Sequence, residues 1–245
     1  MNSSFNLNLR STVKKSVSLA LFTVLATLSL ASCSQSKTPE AKVESPTSVK
    51  QVSNVQNTSS PTLENLQKAY NGESNAHVMY LAFAKQADEE GYKKVGNLFR
   101  AAAEAEAIHR DNHAQVIKEM GATPENNITT PEVKSTADNL EKSLGGNLTT
   151  AITGESYERD SMYPEFIKQA QAENNQLALQ TFNYALAAET QHAQLYNEAK
   201  NNLESWRTKT HPFYVCKVSG ETYQDETATK QCPAVASGAS YIEVN

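Results

Sequence analysis

Beyond its extreme N-terminus the chain has no basic run. It has no apolar stretch of comfortable membrane-spanning length, and only three cysteines among 245 residues. With a formal net charge of −5, the first absence excludes nucleic acid as a partner, because no cationic stripe is there to replace phosphate counterions. The longest apolar run, 17–30, has 14 residues, against the ~20 that a membrane helix needs. The few cysteines exclude a dense disulfide scaffold. What is abundant is helix-forming: Ala, Glu, Gln and Leu dominate the middle of the chain.

The first 32 residues have the form of an export signal. Arg10, Lys14 and Lys15 precede the apolar run, which ends in Leu30-Ala31-Ser32-Cys33. That tetrad resembles the lipobox of bacterial lipoproteins, whose cysteine is lipidated. The expectation is an exported chain, anchored through Cys33 to a bacterial membrane at its periplasmic face or outer surface. Losing three basic residues with the signal takes the net charge from −5 to −8. Cys216 and Cys232 are then an even pair in an oxidising compartment, and so a disulfide candidate. Residues 33–61 are rich in Ser, Thr, Pro, Gln and Lys without apolar periodicity, which predicts a flexible tether.

Four helical stretches follow, over about 62–90, 92–120, 147–173 and 175–205. Thr62 stands as a cap, and Gly91 and Gly121 as C-terminal stops. Residues 121–146, with Pro124, Pro131, Gly145 and Gly146, form a long crossover with room for a short helix near 135–144. Pro164 predicts a kink in the third helix. From His211 onward the chain takes strand and turn character to its end. The fold class is all-α: a four-helix bundle over 62–205, with a small β-rich segment over 206–245.

The bundle contains a repeat. Gly72-Glu73-Ser74 precedes Met79-Tyr80, and Gly154-Glu155-Ser156 precedes Met162-Tyr163. Each is followed by Glu-x-x-His, at Glu106/His109 and Glu189/His192. Glu73 to Glu106 spans 33 residues and Glu155 to Glu189 spans 34. The extra residue lies between Glu155 and Tyr163, where a π-bulge would absorb it.

Three-and-four spacing puts Glu73, Glu106, Glu155 with Glu158, and Glu189 in the middle of four core-facing stripes. A buried carboxylate costs several kcal/mol unless it is paired or metal-bound, and no Lys or Arg stands near these acids on the stripes. Two divalent ions bring +4 and two trivalent ions +6, so five glutamates are close to neutralised in either state. Glu and His at i, i+3 share a face and can bind one ion together. Single Glu residues on two helices and Glu-x-x-His on the other two match the ferritin-like dimetal arrangement. Oxygen-rich ligation with two imidazoles suits iron or manganese, and zinc is also compatible. His77 and His113 lie near the stripes and read as core or supporting histidines.

Taken with Ala69-Tyr70-Asn71-Gly72-Glu73-Ser74, Glu89-Glu90-Gly91-Tyr92 and Met162-Tyr163-Pro164, these pieces resemble the rubrerythrin family of the ferritin-like superfamily over about 62–232. The resemblance implies a di-iron centre held by Glu73, Glu106, His109, Glu155, Glu158, Glu189 and His192, reducing hydrogen peroxide to water. It implies that Glu158 and His109 alternate at one iron as its oxidation state changes. It also implies that Tyr80 and Tyr163 hydrogen-bond ligand carboxylates, and that the chain works as a homodimer.

The C-terminal segment departs from the family's rubredoxin pattern. Ser219 and Val235 stand where the second cysteine of each Cys-x-x-Cys knuckle belongs, so no FeS₄ centre is expected. The knuckle geometry implied by the resemblance brings Cys216 and Cys232 together as a disulfide. The electron donor is unknown from the sequence. Ferroxidase activity on dioxygen, a manganese catalase-like activity, and a non-catalytic metal-binding lipoprotein are the alternatives to a peroxidase.

Overall fold

The computed structural model describes residues 60–139, 145–207, 210–227, 232–233 and 240–245. The signal, Cys33, nearly all of the tether, part of the expected short helix at 135–144, and Val235 lie outside the described residues. No described helix is long and apolar enough to cross a membrane.

Helix α1 spans Pro61–Glu89 and α2 spans Lys93–Glu119. The cap of α1 is Ser60 rather than Thr62. Its hydroxyl accepts from the Leu63 N–H at 3.1 Å. Pro61 explains the shift: it lacks an N–H and has its φ fixed, so it belongs at the first helical position and leaves the cap to the residue before it. Thr62 is buried instead. Gly91 and Gly121 lie just past the ends of α1 and α2, with φ of +82° and +80°, the left-handed conformation that ends helices.

The crossover from 122 to 134 carries no secondary structure, and α1 meets its polar groups. Gln67, Asn71 and Asn75, four residues apart on one face, bond the backbone N–H groups of Glu125, Asn127 and Thr129 at 3.0, 2.6 and 2.8 Å. Residues 135–139 are bends and a bridge rather than helix.

The third helical stretch is α3 (Asn147–Tyr157), a π turn (Glu158–Met162) and α4 (Tyr163–Ala172). The π turn falls in the interval where the repeat has one extra residue. Pro164 sits in the first turn of α4, where the widened turn removes the penalty for its missing N–H. Helix α5 spans Gln176–Asn201, capped by Asn175 accepting from the Ala178 N–H at 3.0 Å. The expected single helix to 205 breaks at Asn202 and resumes as α6, Leu203–Arg207. The break lets Trp206, 3% exposed, pack on Phe213.

Strands β1 (Phe213–Cys216), β2 (Thr222–Tyr223) and β3 (Tyr241–Val244) form an antiparallel sheet in the order β2-β1-β3. Phe213 and Val215 alternate inward and join the bundle core. Besides a small cluster of Cys216, Tyr223 and Cys232 at the sheet, the buried apolar residues gather in two clusters. One contains Tyr80, Phe83, Phe99 and Tyr196; the other contains Leu66, Tyr163, Phe166 and Phe182. On α1, α2 and α5 the acids fall between residues of the two clusters, so a polar layer divides the core.

Candidate metal centre

Glu73 on α1, Glu106 and His109 on α2, Glu155 on α3, and Glu189 and His192 on α5 are all buried, each at most 1% exposed. Their ligand atoms form two groups, each within 4.8 Å throughout. One is Glu73, Glu106, His109 and Glu189; the other is Glu106, Glu155, Glu189 and His192. Glu106 and Glu189 belong to both, so they would bridge two ions, while Glu73 and Glu155 would each be terminal to one. Nδ1 of His109 lies 2.9 Å from Glu106 and 3.1 Å from Glu189; Nδ1 of His192 lies 3.0 Å from Glu189 and 3.5 Å from Glu155.

Four buried carboxylate oxygens, Glu73 Oε2, Glu106 Oε1, Glu155 Oε2 and Glu189 Oε1, accept no hydrogen bond from any described residue. Four orphaned acceptors in one dry layer form a cation site. The imidazoles agree. The far nitrogen of His109, Nε2, meets the Ser219 carbonyl at 3.0 Å, and a carbonyl can only accept, so Nε2 carries a proton. Nδ1 then faces the carboxylates with either a second proton or a metal ion. The donor set therefore fits two oxygen-preferring transition-metal ions, Glu73, Glu106, Glu155, Glu189, His109 and His192 holding them.

Charge in the layer is self-opposing without cations. Burial, then the charges of Glu73 and Glu155, push the Glu106 carboxyl well above its usual range; burial, then Glu106 and Glu155, do the same to Glu189. Burial also opposes ionisation of Glu73, but the nearby imidazoles of His113 and His109 outweigh it and hold Glu73 low. Burial disfavours the His109 cation, yet the adjacent Glu189 carboxylate raises it.

Both tyrosines reach across the bundle. Tyr80 donates to Glu155 Oε1 at 2.5 Å, and Tyr163 donates to Glu73 Oε1 in a short hydrogen bond. Burial and the neighbouring carboxylates raise both phenols well above their usual value, so they remain donors.

Glu158 lies on the π turn, partly buried, and is in neither ligand group. Burial and then Glu73, Glu189 and Glu155 push its carboxyl well above the usual range, which leaves it beside the layer rather than remote from it. His113 is buried; its Nε2 lies 3.2 Å from the Tyr163 hydroxyl and its Nδ1 lies 2.9 Å from Thr181 Oγ1. Among the described residues His77 hydrogen-bonds the Ala103 carbonyl, at 2.7 Å. Cys216 and Cys232 are joined, with Cα atoms 5.5 Å apart. Two participants have no signal in the sequence: Ser219 and Thr222 touch the far sides of the two histidines. Tyr196, on the inward stripe of its helix, brings beside Tyr80 a buried hydroxyl with no partner among the described residues.

The rubrerythrin family model matches residues 64–200. Rubrerythrin-2 of Clostridium acetobutylicum is 36% identical over 173 residues, covering 70% of this chain and 90% of its own. Nigerythrin of Nitratidesulfovibrio vulgaris is 38% identical over 172 residues, covering 70% and 80%. The solved structure of fully reduced, all-ferrous nigerythrin superposes with a TM-score of 0.60 at 34% identity, over 71% of this chain and 82% of that one. With two ligand groups that share Glu106 and Glu189 in a bundle of this kind, the chain belongs to the rubrerythrin family and carries its ferritin-like, di-iron type of centre.

Proposed function

We propose that the chain is a di-iron oxidoreductase that reduces hydrogen peroxide to water outside the cytoplasm, in defence against oxidative stress. The observation that carries this is the pair of ligand groups joined by Glu106 and Glu189, with four carboxylate oxygens left without hydrogen bonds. Iron bound there supplies two electrons, one per ion, to a small oxidant. The protein's own part is to hold protons and exclude bulk water. Tyr80 and Tyr163 retain their protons and donate hydrogen bonds to Glu155 and Glu73. Glu158 stands at the edge of the layer, on the π turn. The aromatic clusters on either side keep the layer dry. Export and lipidation at Cys33 follow from residues 1–33, and a homodimer is the proposed working unit.

The test is anaerobic stopped-flow oxidation of the reduced protein. Peroxide should oxidise it much faster than dioxygen does; equal rates would turn the reading toward a ferroxidase. Gas evolution without reductant would favour the catalase alternative. Radiolabelled fatty acid should enter the wild type and not Cys33→Ala, and label in both would remove the anchor.

A further inference from the structure

Both metal-binding imidazoles are held from behind by one short stretch of chain. His109 Nε2 donates to the Ser219 carbonyl at 3.0 Å, and His192 Nε2 lies 3.0 Å from Thr222 Oγ1. The Thr222 hydroxyl donates its own proton to the Gly220 carbonyl at 3.2 Å. Its oxygen is therefore left to accept, and His192 must carry its proton on Nε2. One turn thus fixes the same tautomer in both rings and turns both Nδ1 atoms toward the carboxylates. Ser219 and Thr222 are 1% and 3% exposed, so water does not compete for these bonds.

The turn fits closely. Gly220, at φ +76°, lies so near the ring that a Cβ there would stand 2.3 Å from His109 Nε2. Backbone bonds from Gly220 N–H to the Cys216 carbonyl and from Cys216 N–H to the Glu221 carbonyl, both 2.9 Å, close it. Asn112 on α2 donates to the Val218 carbonyl at 3.0 Å. The disulfide to Cys232 fixes the turn's first residue.

We propose that residues 219–222, locked by the Cys216–Cys232 disulfide, are the positioning element of the dimetal centre, with Thr222 setting the tautomer and aim of His192. The inference rests on the dimetal reading above. A dithiol that reduces the disulfide, ending as a disulfide itself while the two sulfurs of the protein take up two protons, would loosen both histidines together.

The test is competition between the full-length, Fe²⁺-loaded protein and a ferrous chelator without oxygen. Supporting bonds of this kind change metal affinity by about 10–100-fold. Thr222→Val should weaken one of the two ions by that amount, and Thr222→Ser should restore it. The Cys216→Ala/Cys232→Ala variant should weaken both ions. If Thr222→Val loses helical circular dichroism, Gly220→Ala serves in its place and should weaken the ion at His109. Equal affinities in the valine and serine variants, or full affinity without the disulfide, would overturn the proposal. A wild type that takes up no Fe²⁺ would remove the dimetal reading itself, an outcome distinct from intact binding that is indifferent to the turn.

Discussion

The two halves of the bundle, α1–α2 and α3–α5, make the same ligand pattern with different supports. Each gives a terminal glutamate, a bridging glutamate and a histidine. Each also sends a tyrosine to the other half's terminal glutamate. Seven residues past the bridging acid, however, the first half has His113 and the second has Tyr196. His113 bonds the Tyr163 hydroxyl and Thr181, whereas the Tyr196 hydroxyl has no partner among the described residues. The first half runs as one uninterrupted helix through Glu73 and Tyr80, and the second inserts the π turn and gains Glu158. A duplicated ligand set thus tolerates divergence in whatever surrounds it, because only the ligands must meet the same ions.

The largest effect expected breaks the centre where the halves share it. Glu106→Ala or Glu189→Ala should abolish binding of both ions, because each acid serves both groups. Glu73→Ala or Glu155→Ala should spare one. Metal analysis of purified protein separates these outcomes, and equal losses from all four would refute the division into bridging and terminal roles.

Next come the cross-bundle tyrosines. Tyr80→Phe leaves a buried carboxylate oxygen without its donor, at a cost of about 1–3 kcal/mol. Tyr163→Phe should cost less, since His113 lies 3.9 Å from Glu73 and can turn toward it. The halves would then differ in chemical denaturation, and His113→Ala should couple non-additively with Tyr163→Phe but not with Tyr80→Phe.

The pH dependence is a third test. Glu106 and Glu189 have folded-state values raised above those of the unfolded chain, so the metal-free native state binds more protons than the unfolded state. The stability this gives is complete below the ordinary carboxyl value and falls as pH rises above it. Metal-free protein should therefore lose stability from about pH 4.5 upward, and loading with metal should flatten that slope. A metal-free thermal midpoint that rises over this interval would contradict the charge layer.

The smallest effect lies at the surface of the second half. Lys200, with Thr149 and the Gly146 N–H, holds the Asp138 carboxyl down to about 2. Its contribution is present above the ordinary aspartate value and is lost as pH falls toward 2. Asp138→Asn should cost only about 0–1 kcal/mol by denaturation near neutral pH, as for other exposed pairs.

Periodicity and repeat in the sequence already determined the bundle, the helix stops at Gly91 and Gly121, the inward faces of the ligands, and the place of the π turn. These are local properties: a helical phase, a left-handed glycine or one surplus residue leaves its mark within a few positions. The cap is equally local, and it falls at Ser60 rather than Thr62 because proline moves the boundary by its own rule. Tertiary structure alone decided which acids belong to both ligand groups, with Glu158 in neither. It also decided that the Tyr196 hydroxyl has no partner among the described residues, and that Ser219 and Thr222 close over His109 and His192, which lie 110 and 30 positions away. Those facts depend on which helices are neighbours and on how closely a distant turn approaches, and no spacing within one segment records a distance between segments.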